Sequence, residues 1–276
     1  MLINTKTKLC GIIGYPLEHS LSPAIHNVLA EYYKINAVFL AFPILDAKGA
    51  IAAMKSLGII EWTITMPLKE KVIPYLDVIE RQSKELGNVN TIINQNGKLK
   101  GYNTDIDGIR LSLKGLRIKN KPVLLLGAGG AAKTVAYVVY KAGGKLHILN
   151  RDLILARKLA KLYQAKYGDL QDVGHKIKEI NPYLIINATP VGMGKLRGKS
   201  LVPKGALQSN MIIFDLIYNP KETKLIKDAK SRQCRTINGR TMFLGQAARQ
   251  FKLWSGLPAP WKIIEHAFDI NLKEVK

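Results

Sequence analysis

The segment KNKPVLLLGAGGAAKTVAYVVYKAGGKLHILNRD, Lys119 to Asp152, constrains the fold more than any other part of the chain. VLLL is too short and too uniformly apolar for an amphipathic helix, and Pro122 and Gly127 bound it, so it predicts a buried strand. AAKTVAYVVYK then predicts a helix, and KLHILN a second strand. A strand, glycine turn, helix and strand within about thirty residues form a βαβ unit, which implies a parallel sheet with a right-handed crossover. Gly127, Gly129 and Ala132 fill the G-x-G-x-x-[GA] positions. Gly127 permits the tight turn, Gly129 removes a Cβ from the path of a diphosphate, and Ala132 allows close helix–strand packing. The helix N-terminus then faces the anion. Gly127, Ala128, Gly129, Gly130 and Ala131 are the expected cradle.

The end of the second strand reads LNRD, where a nucleotide's ribose is expected. An acid there suits the 2′-hydroxyl of NAD, and a basic group suits the 2′-phosphate of NADP. Asn150, Arg151 and Asp152 offer both kinds, with Arg157 and Lys158 one turn further on. The residues lean toward NADP and leave NAD open.

Around this unit the chain continues as α/β. LCGIIG, AVFLAFPI and WTITMP read as strands, SPAIHNVLAEYYK and GAIAAMKSLG as helices. TIINQNGKLKGYN reads as a hairpin turning at Asn96-Gly97, a pair suited to positive φ. IDGIRLSLKGL is a helix, YLIINATP and MIIFDLIY are strands, and FLGQAARQFKLWSG and GLPAPWKIIEHAFD are closing helices. The expected architecture is two-lobed: an N-terminal, mostly parallel α/β domain and a Rossmann-type dinucleotide-binding domain. The boundaries fall at 1–105 with 240–276, and at 106–239.

Lys and Arg number 42 against 20 Asp and Glu, a field that attracts anions and favours non-specific contact with nucleic acid. The lysines are scattered and lack interleaved aromatics, so no specific nucleic-acid partner is expected. Two cysteines, Cys10 and Cys234, suit a reduced, cytoplasmic protein without a disulfide framework. No apolar run approaches the ~18–20 residues that span a bilayer. The histidines show no metal-ligand spacing.

TITMPLKE carries Thr65 and Lys69 at a strand end, where open α/β sheets bind ligands. GNVNT carries Asn90, and GYNTDIDG carries Asp105. A lysine with an aspartate suits a ketone–alcohol interconversion: the ammonium polarises the ketone and protonates the developing alkoxide, and the carboxylate orients it. Taken singly, Lys69 also reads as a solvated lysine at a helix start, and Asp105 as a helix N-cap.

The stretch GYPLEHSLSPAIHN, Gly14 to Asn27, resembles the opening signature of the shikimate dehydrogenase family. T-x-P-x-K at Thr65 to Lys69, Asn90-Thr91 and Asn103 to Asp105 also resemble that family's motifs. GAGGAA, NR, NATPVGM, D-x-I-Y-N-P and NG-x-x-M-x-x-x-Q do so too, in order up to Gln246. The resemblance implies NADP-dependent reduction of 3-dehydroshikimate to shikimate, a step of chorismate and aromatic amino-acid biosynthesis. It implies Lys69 and Asp105 as the catalytic pair, and Ser20 and Ser22 as ligands of the substrate carboxylate. Thr65, Asn90, Asp105 and Gln246 would meet its ring hydroxyls, and Tyr218 would lie near the carboxylate and nicotinamide. Thr189, Met193 and Gly239 join the cofactor residues. The expected partners are shikimate or 3-dehydroshikimate, with no membrane, for a chain acting as a monomer or homodimer. His19 and His26 are expected to serve packing or turn structure.

The chain departs from the family pattern at three places. Thr63 stands where Asn is usual, Asp152 where Thr is usual, and Leu155 where a basic residue is usual. The last two weaken the 2′-phosphate clamp and keep an NAD-preferring quinate/shikimate dehydrogenase as the alternative. A non-catalytic anion or nucleic-acid binder is the reading from a different class.

Overall fold

A computed structural model of the chain describes residues 3–274, with side chains through 272. It divides into two compact units, 1–107 with 244–276 and 108–243. The expected boundaries lay two and four residues earlier.

The first unit holds strands β1 (Lys8–Ile13), β2 (Ala37–Phe42), β3 (Glu61–Ile64), β4 (Val78–Ile79), β5 (Thr91–Gln95) and β6 (Lys98–Tyr102). Its helices are α1 (Ser22–Tyr32), α2 (Ala47–Ser56) and α3 (Arg81–Leu86). The sheet order is β2-β1-β3-β5-β6-β4. β1 pairs parallel with β2 and β3, whereas β5 runs antiparallel to both β3 and β6. Between β5 and β6 the reversal follows from the Asn96-Gly97 turn, where both residues have positive φ and the two-residue loop returns the chain at once.

Side chains alternate across this sheet. Ile13, Trp62, Ile64, Ile92 and Leu99 bury one face against Ala50, Ile51 and Met54 of α2. Trp62 is 1% exposed, and its indole N–H donates to the Ala50 carbonyl at 3.1 Å, so a large apolar ring is buried with its one donor satisfied. Cys10, Ile12 and Phe39 line the opposite face.

Helix α4 (Asp105–Ser112) leads into the second unit. There β7 (Pro122–Leu126), α5 (Gly130–Lys141), β8 (Lys145–Asn150), α6 (Leu153–Leu162), β9 (Lys166–Asp169) and α7 (Val173–Ile180) follow in order. β10 (Leu184–Asn187), β11 (Ile212–Asp215), α8 (Lys224–Ser231) and β12 (Arg235–Asn238) complete it. All six strands are parallel in the order β12-β11-β10-β7-β8-β9. Counted within the unit this is the doubly wound order of a Rossmann domain, with its switch point between β7 and β10. Helix α9 (Gly239–Ser255) returns the chain to the first unit, and α10 (Trp261–Glu274) packs on α1.

Several elements differ from expectation, among them the two-residue strand β4 and the short helix α3, which no apolar pattern announces. β9 and β12 are short polar edge strands without the apolar run that marks the inner ones. α9 begins at Gly239, four residues before Phe243, because the Asn238 side chain accepts from the Arg240 N–H and starts the helix there. Cys10 and Cys234 are buried and free, one in each unit. Among the described residues no helix is long and apolar enough to cross a membrane.

Candidate active site

In the first unit the chain changes sheet direction between β1 and β3. The carboxyl ends of β1, β3 and β6 meet the amino end of antiparallel β5 at one edge. Ser20 and Ser22 follow β1, Thr65 and Lys69 follow β3, Asp105 follows β6 and Asn90 precedes β5, so all six sit on segments that leave or enter the sheet at that edge. Ile13 pairs with Ile64, so the segments beginning at Gly14 and Thr65 run side by side. They are tied by the Tyr15 N–H donating to the Met66 carbonyl at 2.9 Å.

Lys69 and Asp105 reach each other there. The ammonium donates to Asp105 Oδ2 at 2.6 Å, with side chains 21% and 11% exposed. Such a pair is desolvated enough for its charges to matter and open enough to meet a ligand. The Val89 N–H donates to the Lys69 carbonyl at 2.9 Å and holds its backbone. Asp105 opens α4, so its carboxylate also lies at the positive end of a helix.

Asn90 and Gln246 are buried beside this pair in a web of amides and hydroxyls. Asn90 Oδ1 accepts from the Thr104 N–H at 2.7 Å, and Asn90 Nδ2 donates to Thr104 Oγ1 at 3.1 Å. Thr104 Oγ1 lies 3.5 Å from Gln246 Oε1. Asn103 Nδ2 donates to Asn88 Oδ1 at 3.0 Å and steadies the turn before Asp105.

Ser20 and Ser22 flank the start of α1, an eleven-residue helix with no side-chain cap on its first turn. Ser20 Oγ accepts from the Ser22 N–H at 3.4 Å, a turn contact that leaves the hydroxyl hydrogen to donate. Thr65 is half-buried at the end of β3. At the nearby departure, the Thr63 hydroxyl donates to Glu61 Oε1 at 2.8 Å inside the sheet. Burial pushes the Glu61 carboxyl well above the usual carboxylate range, and its Oε2 has no partner. His19 is exposed, whereas His26 is fully buried against Phe39 with ring centroids 4.4 Å apart.

In the second unit the candidate cofactor residues gather at the carboxyl edge around the switch point. Gly127 has φ +108°, and its N–H donates to the Leu149 carbonyl at 2.8 Å, placing it beside Asn150. An added Cβ at Gly127 would lie 3.1 Å from both the Ala188 carbonyl oxygen and Thr189. At Gly129 it would meet no protein atom within 4 Å, so the space over the first turn of α5 is open. Ala128, Gly130 and Ala131 line the same opening, and the first N–H groups of α5 have no acceptor within the helix. This is a cradle fitted to a diphosphate.

Asn150 Nδ2 donates to the Asp152 carbonyl at 2.9 Å, and Arg151 is exposed next to it. Asp152 caps α6 through one carboxylate oxygen: Oδ1 accepts from the Ile154 and Leu155 N–H groups at 2.9 and 3.1 Å, and the residue is exposed. Thr189 is held by Asn187 Oδ1, which accepts from its hydroxyl at 2.7 Å. Asn187 Nδ2 in turn donates to Asp215 Oδ1 at 3.0 Å. Met193 is 43% exposed on the loop that follows. Gly239 approaches the Leu216 carbonyl so closely that a Cβ would overlap its oxygen. Tyr218 is packed on Phe243 at 4.9 Å, and burial raises its phenol. Thr104, Asn187 and Asp215 lie inside the N-T-D, NATPVGM and D-x-I-Y-N-P motifs, which assign them no role. Their contacts to Asn90 and to each other, 14 and 28 residues apart, emerge only in the fold.

Family models match in three consecutive stretches. Residues 12–92 match the shikimate dehydrogenase substrate-binding domain, 110–237 shikimate/quinate 5-dehydrogenase, and 239–267 the shikimate 5′-dehydrogenase C-terminal domain. A shikimate dehydrogenase (NADP⁺) of Carboxydothermus hydrogenoformans is 40% identical over 279 residues, covering 98% of this chain and 100% of that one. A shikimate dehydrogenase solved in complex with NADP⁺ superposes with TM-score 0.89 at 37% identity, covering 98% of each chain. The Thermus thermophilus enzyme, solved with NADP(H) and shikimate, has TM-score 0.85 at 29% identity over 98% of this chain and 100% of that chain. With the sheet-edge pair, the diphosphate cradle and these matches together, the chain belongs to the shikimate dehydrogenase family.

Proposed function

We propose that the chain is an NADP-dependent shikimate dehydrogenase, interconverting 3-dehydroshikimate and shikimate in aromatic amino-acid biosynthesis. The observation that carries this is the Lys69–Asp105 pair at the ligand-binding edge of the first sheet, in a chain of this family. In reduction, the Lys69 ammonium donates a hydrogen bond to the substrate carbonyl and then gives its proton to the oxygen as negative charge develops. The Asp105 carboxylate holds the ammonium in line and accepts from a ring hydroxyl. Thr65, Asn90 and Gln246 bind the remaining hydroxyls and fix the ring.

Ser20 and Ser22 donate to the substrate carboxylate. The uncapped start of α1 beside them supports this, since a helix N-terminus favours negative charge. Tyr218 is a further substrate ligand. Residues 1–105 and 240–276 form the substrate domain, and 106–239 the NADP domain. NADP, when bound, exchanges the hydride with the substrate carbon. Gly127, Ala128, Gly129, Gly130 and Ala131 would hold its diphosphate, and Asn150, Arg151 and Asp152 its adenosine ribose. Thr189, Met193 and Gly239 would contact the remainder. The enzyme works in the cytoplasm as a monomer or homodimer.

The test is shikimate-dependent reduction of NADP⁺ by the intact protein and by Lys69→Ala. Turnover in the first and its collapse in the second is expected. Equal rates in both would remove Lys69 from the chemistry.

A further inference from the structure

A directed chain of hydrogen bonds runs beneath the candidate site within the first unit. The Trp254 indole N–H donates to His26 Nδ1 at 3.2 Å, and His26 Nε2 lies 3.4 Å from Gln250 Oε1. Gln250 Nε2 donates to Thr91 Oγ1 at 3.0 Å, and Thr91 Oγ1 donates to Asn90 Oδ1 at 2.8 Å. His26, Gln250 and Thr91 are each 0% exposed, and Asn90 is 2% exposed.

The direction of every hydrogen is fixed from both ends. An indole can only donate, so His26 Nδ1 accepts and Nε2 carries the proton. Gln250 must then accept through its carbonyl and donate through its amide nitrogen, and the Thr91 hydroxyl passes its hydrogen to Asn90. At the other end the Thr104 backbone N–H, also only a donor, points at the same Asn90 oxygen. The Thr104 hydroxyl oxygen lies 3.2 Å from Asn90 Oδ1 and 3.5 Å from Gln246 Oε1. The Thr91 hydroxyl and the Thr104 N–H already fill both lone pairs of Asn90 Oδ1, which leaves Gln246 Oε1 as the acceptor with a lone pair to spare. The donors left over are N–H groups: one on Asn90 and two on Gln246. Burial lowers the His26 imidazole to about 4, the Gln250 contact opposing this more weakly, so the neutral ring this polarity needs is the one present near neutral pH.

We propose that His26, Gln250 and Thr91 are positioning residues for the substrate site, locking Asn90 and Gln246 so that their amide N–H groups face the substrate hydroxyls. This rests on the reading of Asn90 and Gln246 as hydroxyl ligands. An amide free to flip would present an oxygen half the time and lose a donor where one is wanted. The chain thus assigns a role in substrate binding to a buried histidine that otherwise reads as packing.

Thr91 separates positioning from packing. Thr91→Val keeps the shape and removes the hydroxyl, whereas Thr91→Ser keeps the hydroxyl and loses a methyl group. Thr91→Val and Gln250→Leu are expected to raise KM for shikimate roughly tenfold, with KM for NADP⁺ changed less than about twofold. Thr91→Ser should stay close to the parent. The double variant Thr91→Val/Gln250→Leu should be little worse than either single one, since both cut one chain. Thr91→Ser raising KM as much as Thr91→Val would overturn the proposal in favour of packing. Asn90→Ala separates the two readings. If it raises KM for shikimate while Thr91→Val does not, only the positioning role falls; if Asn90→Ala leaves KM unchanged, the hydroxyl-ligand reading falls and takes the positioning role with it.

Discussion

Lys69 Nζ and Asp105 Oδ2 lie 2.6 Å apart across 36 residues of chain, one leaving β3 and the other opening α4. The antiparallel hairpin of β5 and β6 makes this possible. It returns the chain to the sheet edge where β3 ended, so the carboxylate arrives beside the ammonium. Lys69→Ala is expected to lower kcat by about two orders of magnitude or more, the scale for losing a positioned acid–base group. Steady-state kinetics with shikimate and NADP⁺ check it, and near-parent turnover would contradict the role.

Ser20→Ala should act on binding. Losing one hydrogen bond to a carboxylate costs about 1.5–3 kcal/mol, or roughly ten- to a hundredfold in KM for shikimate, with kcat largely kept. An unchanged KM would leave Ser20 with only its turn contact to Ser22.

Asp152 carries its charge where a 2′-phosphate is expected, although its Oδ1 is engaged with the start of α6. Asp152→Thr keeps a helix cap and removes the charge. The ratio of kcat/KM for NADP⁺ over NAD⁺ should rise about fivefold, corresponding to about 1 kcal/mol of relieved repulsion at a solvated site. A constant ratio would show that the capping geometry already turns the charge away from the nucleotide.

His26 makes stability depend on acid. Its imidazole titrates near 6.5 when unfolded and at about 4 when folded, so below pH 6.5 the unfolded chain takes up a proton that the folded one refuses. Stability is therefore lost as pH falls from 6.5 to 4, by about 3 kcal/mol in total. Denaturant titrations of the parent and His26→Phe at pH 7 and pH 5 should show the parent losing more on acidification. Parallel losses in both would contradict the assignment.

Glu61 acts on the other side. Burial raises its carboxyl, so above the unfolded value of 4.5 the unfolded chain releases a proton that the folded chain keeps. Stability falls as pH rises through that window. Glu61→Gln removes the effect, and its gain in Tm over the parent should grow from pH 5 to pH 8. A gain independent of pH would show that Glu61 does not titrate between folded and unfolded states.

The sequence carried the ordered motifs and the βαβ pattern, which is why the inner strands and the family could be read from it, and why Lys69 and Asp105 could be singled out before the fold brought them together. Glycine spacing after VLLL announces a cradle because only backbone geometry is at stake there. β9 and β12 went unread because edge strands such as KYGD and RTIN bury little and show no apolar run. The support beneath the site was illegible for a different reason. His26 meets Gln250 across 224 residues and Gln250 meets Thr91 across 159, so only the tertiary fold brings them together. Asp152 was visible as a departure, but its engagement with the α6 backbone could be seen only in three dimensions.

The most direct measurement is the initial rate of oxidation of shikimate and of quinate, each with NADP⁺ and with NAD⁺, on the purified protein. The account predicts the highest kcat/KM for shikimate with NADP⁺. Comparable or faster turnover of quinate with NAD⁺, or no turnover of any pair, would contradict it.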